Sequence, residues 1–295
     1  MLRFKIFGLV IFLFNCISAQ INHPTVNDFN LKGRVYKCIQ QSEYGSETYE
    51  FDKEGRLLRL STLLDQNRRE EIRFIYQNDT LDQKWIEVYQ DNSLKKDMSY
   101  VFHFDYRENT VIEWTIRLDE ESVSKTTYNY DDRSRLLNRL LSDGMEEERY
   151  DYQYVETKDS TVTRIFKNNE LVERTWIKNM ASDPKEQSIT EEWSQGILLR
   201  RNAIEKNQNA QIIKEELVDY VIQSDTITTT SYKQLAYAYD ENGNINSIVT
   251  SNGLVSKRQN YIYQYDNHTP SNWVKRIEIP SNKYINRIIT YYTEP

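Results

Sequence analysis

Apolar and polar residues alternate with a period of two along nearly the whole chain. The alternation is interrupted at about 8–12-residue spacing by clusters of Asn, Asp, Gly and Ser, the pattern of many short strands joined by turns. The most regular run is Tyr100, Phe102, Phe104 and Tyr106, with His103 and Asp105 between them. Successive strand residues point to opposite faces, so the four rings share one face. Tyr150, Tyr152 and Tyr154 repeat the device, as do Tyr261, Tyr263 and Tyr265. The stretch 237–248, YAYDENGNINSI, holds a complete hairpin. Tyr237 and Tyr239 share a face, Asp240, Asn242 and Gly243 supply side-chain-to-backbone bonds and positive φ for a reversal, and Ile245 and Ile248 restart the apolar pattern.

Outgoing strands begin near residues 49, 73, 100, 128, 150, 191, 218, 237 and 261. Most steps are about 20–28 residues, two strands and two turns, and no crossover helix separates them, so neighbours pair antiparallel. The expected fold is all-β: an antiparallel meander of repeated β-hairpins forming an extended, twisted or curled single sheet. Residues 20–30 read as an irregular lead-in and 31–39 as the first strand. In 203–222 the apolar residues nearly fit a helical stripe, but the strand rhythm on both sides favours two strands with a turn at Asn207–Asn209. Asp183-Pro184 interrupts the pattern, which makes 180–188 the candidate internal break in one array spanning 20–295.

Composition adds export. Arg3 and Lys5, the apolar run 6–14 and Ser18-Ala19 form a signal peptide over 1–19, too short to cross a bilayer as a helix, so no transmembrane span is expected after cleavage. A lipid on Cys16 is the rival processing scheme, with Asn15 against it. Loss of Arg3 and Lys5 moves the net charge from −7 to about −9. Phosphate repels such a chain, so nucleic acid is not an expected partner. Cys38 is left without a disulfide partner and reads as a buried structural thiol. With 22 Tyr against 4 Met, the aromatic surface suits a thin sheet, because a tyrosine buries its ring and keeps its hydroxyl wet.

Four stretches share an outline. YEFDKEGRL holds Tyr49, Asp52, Gly55, Arg56 and Leu57; YAYDENGNI holds Tyr237, Tyr239, Asp240 and Gly243. YNYDDRSRL holds Tyr128, Tyr130, Asp131, Arg135 and Leu136 with Ser134 in place of glycine, and YQYDNHTPSNW holds Tyr263, Tyr265 and Asp266 with a longer turn. This outline resembles the YD repeat of Rhs proteins, and the chain resembles short exported members of that family. The resemblance implies a scaffold of stacked hairpins, which in large members spirals into a shell around a polypeptide cargo, and an association with the cell envelope.

No residues are assigned to catalysis, to a metal or to a cofactor. The acidic pairs Glu70-Glu71, Glu191-Glu192 and Glu215-Glu216, and the clusters 119–121 and 146–148, lie beside turns or point to opposite faces, unlike the facing carboxylates of a glycosidase. His23, His103 and His268 show no ligand spacing, and the oxygens of 240–244 already have a turn to make. The candidate binding residues are the ring ladders Tyr100, Phe102, Phe104 and Tyr106, and Tyr261, Tyr263 and Tyr265, unless they form the core. The expected function is an exported, non-enzymatic scaffold or binding protein, periplasmic, outer-membrane associated or extracellular, that contacts protein or glycan of the cell envelope. A carbohydrate-active enzyme using surface carboxylates is the alternative.

Overall fold

A computed structural model describes residues 23–293, apart from 66, 121–122, 180–185 and 224–225. The expected leader at 1–19, with Cys16, lies outside the described residues, as does most of the candidate break at 180–188. The first seven strands are β1 (Val35–Ser42), β2 (Gly45–Phe51), β3 (Leu57–Leu63), β4 (Arg68–Gln77), β5 (Thr80–Gln90), β6 (Ser93–Leu94) and β7 (Tyr100–Arg107). The next seven are β8 (Thr110–Arg117), β9 (Val123–Tyr130), β10 (Leu136–Ser142), β11 (Glu147–Glu156), β12 (Ser160–Lys167), β13 (Glu170–Asn179) and β14 (Glu186–Ser194). The last seven are β15 (Ile197–Lys206), β16 (Ile212–Gln223), β17 (Thr226–Tyr239), β18 (Ile245–Ser251), β19 (Ser256–Tyr265), β20 (Trp273–Ile279) and β21 (Tyr284–Tyr291). The ambiguous stretch is indeed two strands, with the reversal at Asn207–Gln211.

Every pairing among the described strands is antiparallel and joins neighbours in the chain, except that β5 pairs past the short β6 with β7 and β1 pairs with β21. The sheet is not extended. Strand β1 pairs with β2 on one side and with β21 on the other, so that Cys38 lies opposite both Tyr49 and Ile289. The meander therefore closes into a barrel of twenty strands. Each strand pair adds right-handed twist, and closure gives partners to the two backbone edges that an open meander would leave bare. The alternation along one hairpin does not encode how many turns of twist bring the last strand to the first.

Four reversals at one end of the barrel share a single construction. In the turns at Asp52, Asp131, Asn207 and Asp240, the leading residue donates its N–H to the carbonyl four residues on and accepts, through its own carbonyl, the N–H three residues on. Its side-chain oxygen accepts the N–H four residues on, at 2.8 Å in Asp52, Asp131 and Asp240 and 3.0 Å in Asn207. The fourth residue is left-handed: Gly55 at φ 84°, Ser134 at 61°, Ala210 at 58° and Gly243 at 82°. Asp266 likewise donates its N–H to the Asn272 carbonyl and accepts the Asn272 N–H on its side chain, both at 2.9 Å, across a longer turn.

Each turn is also tied to the following hairpin. Arg56 and Arg135 bond the aspartate oxygen the turn leaves free, at 2.6 and 2.7 Å, and lie over Tyr76 and Tyr154 of the next hairpin. The hydroxyls of those tyrosines return a bond to the carbonyls of Leu57 and Leu136, both at 2.9 Å. Where Asn244 and Asn272 replace the arginine, the next tyrosine takes its place: Tyr265 donates to Asp240 at 2.6 Å and Tyr291 to Asp266. Asn244 and Asn272 then donate to those hydroxyls.

The two faces of the wall differ in kind. One carries the repeat aromatics, and residues 23–34 pack against it as a strap across the turn end. Val26 bonds Gly55, Asn30 bonds Asn244, and the Lys32 backbone exchanges two bonds with Asn272, so the strap spans the concave side from β2 to β18 and β20. This tyrosine face is the lumen. Leu31 and Phe29 of the strap join Val35, Cys38, Tyr49, Phe51 and Leu57 in the main core, with Phe51 fully buried. The segment expected as an irregular lead-in is thus part of the barrel's filling. A second, smaller core gathers Leu81, Phe104, Val111 and Tyr130. The outward face carries Lys37, Glu50, Arg59, Glu71, Arg73 and Glu87, paired as Lys37–Glu50 at 2.9 Å, Arg59–Glu71 at 2.7 Å and Arg73–Glu87 at 3.0 Å.

Candidate functional site

Both expected ring ladders face the lumen. On β7, Phe104 is buried and Tyr100, Phe102 and Tyr106 are half-buried; on β19, Tyr261, Tyr263 and Tyr265 are half-buried. They lie on separate arcs of the barrel and form separate sites. Tyr265 belongs to the turn clamp just described, Tyr263 donates to the Ile245 carbonyl at 2.7 Å and packs edge-on against Trp273, and Arg276 lies over Tyr261. The second ladder is therefore engaged in holding hairpins together. The β7 ladder instead opens onto a row that runs across six strands.

That row reads Tyr106, Val111, Tyr128, Arg139, Tyr150 and Lys167 in cross-strand register. Its neighbours add Lys84, whose ammonium lies 4.2 Å from the Phe102 ring centre, and Glu113, opposite Phe104. Tyr128 donates to Glu113 at 3.3 Å and Tyr150 to Glu148 at 3.3 Å, and Lys167 pairs with Glu148 at 2.6 Å. Arg139 stands between these two Tyr–Glu pairs with its guanidinium 4.3 Å from the Tyr150 ring centre.

The electrostatics follow from the wall being only partly wet. Burial pushes the Glu113 carboxyl above the usual carboxylate range, against the pull of Lys84 and the bonds from Tyr128 and Thr115. Burial likewise lowers Lys84, with Glu113 partly restoring it. Tyr106 is pushed up to about 12, by burial first and then by Asp82 and Glu113. Further round, Glu173 is raised by burial and by Glu192, which stands opposite it on β14.

The remaining expectations resolve around this wall. Cys38 is buried and its thiol is pushed up to about 11 by burial, an inert core group. His23 packs on Tyr76 and His268 on Tyr291, while His103 points outward between Gln83 and Trp114. Glu71 and Glu191 are held by outward arginines, and Glu215 accepts from Tyr237. Sequence reasoning missed Glu113, Lys84 and Arg139. In the VIEWTIR segment Trp114 is outward and 38% exposed, whereas Val111 and Glu113 face the lumen. The legible signal was register: Glu113 lies opposite Phe104, and Arg139 opposite Tyr128 and Tyr150, so each has the parity of the inward rings.

Fold and wall together define a closed antiparallel β-barrel with an aromatic, charge-bearing lumen and an ion-paired exterior. No protein-family model and no curated sequence matches the chain. Among solved structures it is similar to a porin-like protein from Bacteroides uniformis, at 10% identity over 91% of this chain and 100% of that one, with a TM-score of 0.35. At that superposition the likeness assigns neither a fold nor a role.

Proposed function

We propose that this protein is an exported, non-catalytic barrel of the cell envelope that binds a glycan or polypeptide along its aromatic inner wall, and that it is a short member of the YD-repeat family. The observation that carries the reading is the contrast between faces. Inward, half-exposed rings alternate with charged groups; outward, charges pair across strands, as in Lys37–Glu50, Arg59–Glu71, Arg73–Glu87 and Arg174–Glu191. A barrel whose exterior met lipid would present an apolar band there. Outward rows such as Lys37, Glu50, Arg59 and Arg73, or Arg164, Arg174, Glu191 and Arg201, suit water instead. The recurrent Asp turn, with its Arg or Tyr link to the next hairpin, supports the family reading.

A glycan array probed with the purified chain tests the binding function. Saturable binding lost in Tyr106→Ala and Tyr150→Ala supports it, and an array with no hits contradicts it. The enzyme reading has one feature in its favour, the facing Glu173 and Glu192 with the first raised by burial. Turnover of aryl-glycoside substrates that disappears in Glu173→Gln would establish it in place of the binding role.

A further inference from the structure

Arg139 differs from the paired arginines of the outer wall. Arg59, Arg73, Arg149 and Arg174 each reach a carboxylate, whereas Arg139 forms no hydrogen bond or ion pair with any described residue and acts on Glu113 and Glu148 only at a distance. Its acidic neighbours on the wall are Glu113 and Glu148, and each already accepts a tyrosine hydroxyl; Glu148 is further held by Lys167. The unspent hydrogen-bonding capacity of this arc is thus almost all donor capacity: the guanidinium of Arg139, backed by the Tyr150 ring, with the Lys84 ammonium over Phe102 further along the wall. A guanidinium pre-oriented on a ring is built for a planar carboxylate.

We propose that the arc around Arg139 is a binding subsite for a carboxylate-bearing oligosaccharide, the carboxylate gripped by Arg139 and sugar faces resting on Tyr128, Tyr150 and Tyr106. This rests on the binding reading above and names its ligand class. One observation favours a saccharide over an acidic peptide: the half-buried rings of Tyr106, Tyr128 and Tyr150 stand in one register row with Arg139 and offer flat apolar faces on which sugar rings can rest. The row Tyr106, Val111, Tyr128, Arg139, Tyr150, Lys167 gives an extended ligand a path around the wall rather than a closed pocket.

The test is calorimetric titration of the purified full chain with oligogalacturonate, with its fully methyl-esterified form and with oligoglutamate. The expected result is binding of oligogalacturonate at least about tenfold tighter than of the ester, weakened at least about tenfold in Arg139→Gln and by added salt. Arg73→Gln, on the outer wall, should leave it unchanged, and circular dichroism confirms that each variant is folded. Equal affinity for acid and ester, or an unaffected Arg139→Gln, overturns the carboxylate subsite. In that case loss of binding in Tyr150→Ala still upholds a neutral-glycan wall. Preference for oligoglutamate replaces the saccharide with an acidic peptide, and no binding of any probe overturns both readings.

Discussion

The strapped arc of the barrel and its opposite arc solve the same problem in different ways. From β20 through β1 to β3, residues 23–34 fill the lumen, and Leu31, Val35, Cys38, Phe51, Leu57 and Trp273 are all buried. Arg287 belongs to this arc. It donates to the carbonyls of Phe29 and Asn30 and to Gln40, and stacks 3.5 Å from the Trp273 ring centre. Burial lowers its guanidinium to about 10. From β11 to β15 no described segment fills the lumen face in this way. Thr163, Thr175, Thr190 and Asn202 run in register across it, Thr175 and Thr190 sharing a hydroxyl bond at 3.1 Å. One arc is held by packing against the strap, the other by strand pairing.

Substitutions in the two arcs should differ in cost. Phe51→Ala opens a cavity in the strapped core and should cost about 3–5 kcal/mol in urea denaturation, whereas Thr190→Val on the open arc should cost only about 1 kcal/mol. Arg287→Met removes the anchor of the strap and its bonds to the carbonyls of Phe29 and Asn30. Its expected cost is about 3 kcal/mol, accompanied by faster proteolysis within residues 23–34. Equal losses at Phe51 and Thr190 would mean the arcs are not distinct.

Smaller effects probe the turns. Tyr154→Phe deletes the bond to Leu136 while keeping the ring under Arg135, and should cost about 1 kcal/mol. Ser134→Gly, at a left-handed position that glycine fills in two sister turns, should stabilise by up to about 1 kcal/mol. The subtlest effect is a slope. Glu113 is raised in the folded state, so its contribution is fully present below its unfolded pKa and is lost as pH rises through the folded value. Glu113→Gln should therefore gain stability relative to the parent as pH climbs from the ordinary carboxylate range toward neutrality, read as a shift in urea midpoint. A parallel pair of pH curves would remove burial as the cause.

The hairpin unit was legible because its causes are local. Asp240, Gly243 and the Tyr237–Tyr239 pair specify a reversal within a dozen residues, and the returning strand follows. Closure was not, because the pairing of Cys38 with Ile289 joins residues from opposite ends of the chain. The strap was opaque for the same reason: Asn30 and Lys32 find their partners at Asn244 and Asn272. The aromatic ladders were visible as a face, but parity alone does not say which side of a sheet becomes the lumen. Once that side is known, Arg139 and Glu113 follow from register.

Closure of the ring carries everything above, since without it there is no lumen for strap or ligand. Amide hydrogen exchange of β1 and β21 tests it most directly. The account predicts that the amides of Lys37–Gln41 directed at β21, and their partners in Asn286–Thr290, are protected as strongly as those between β2 and β3. Exchange in these amides as fast as in the exposed turn 143–146 would contradict it and return the protein to an open sheet.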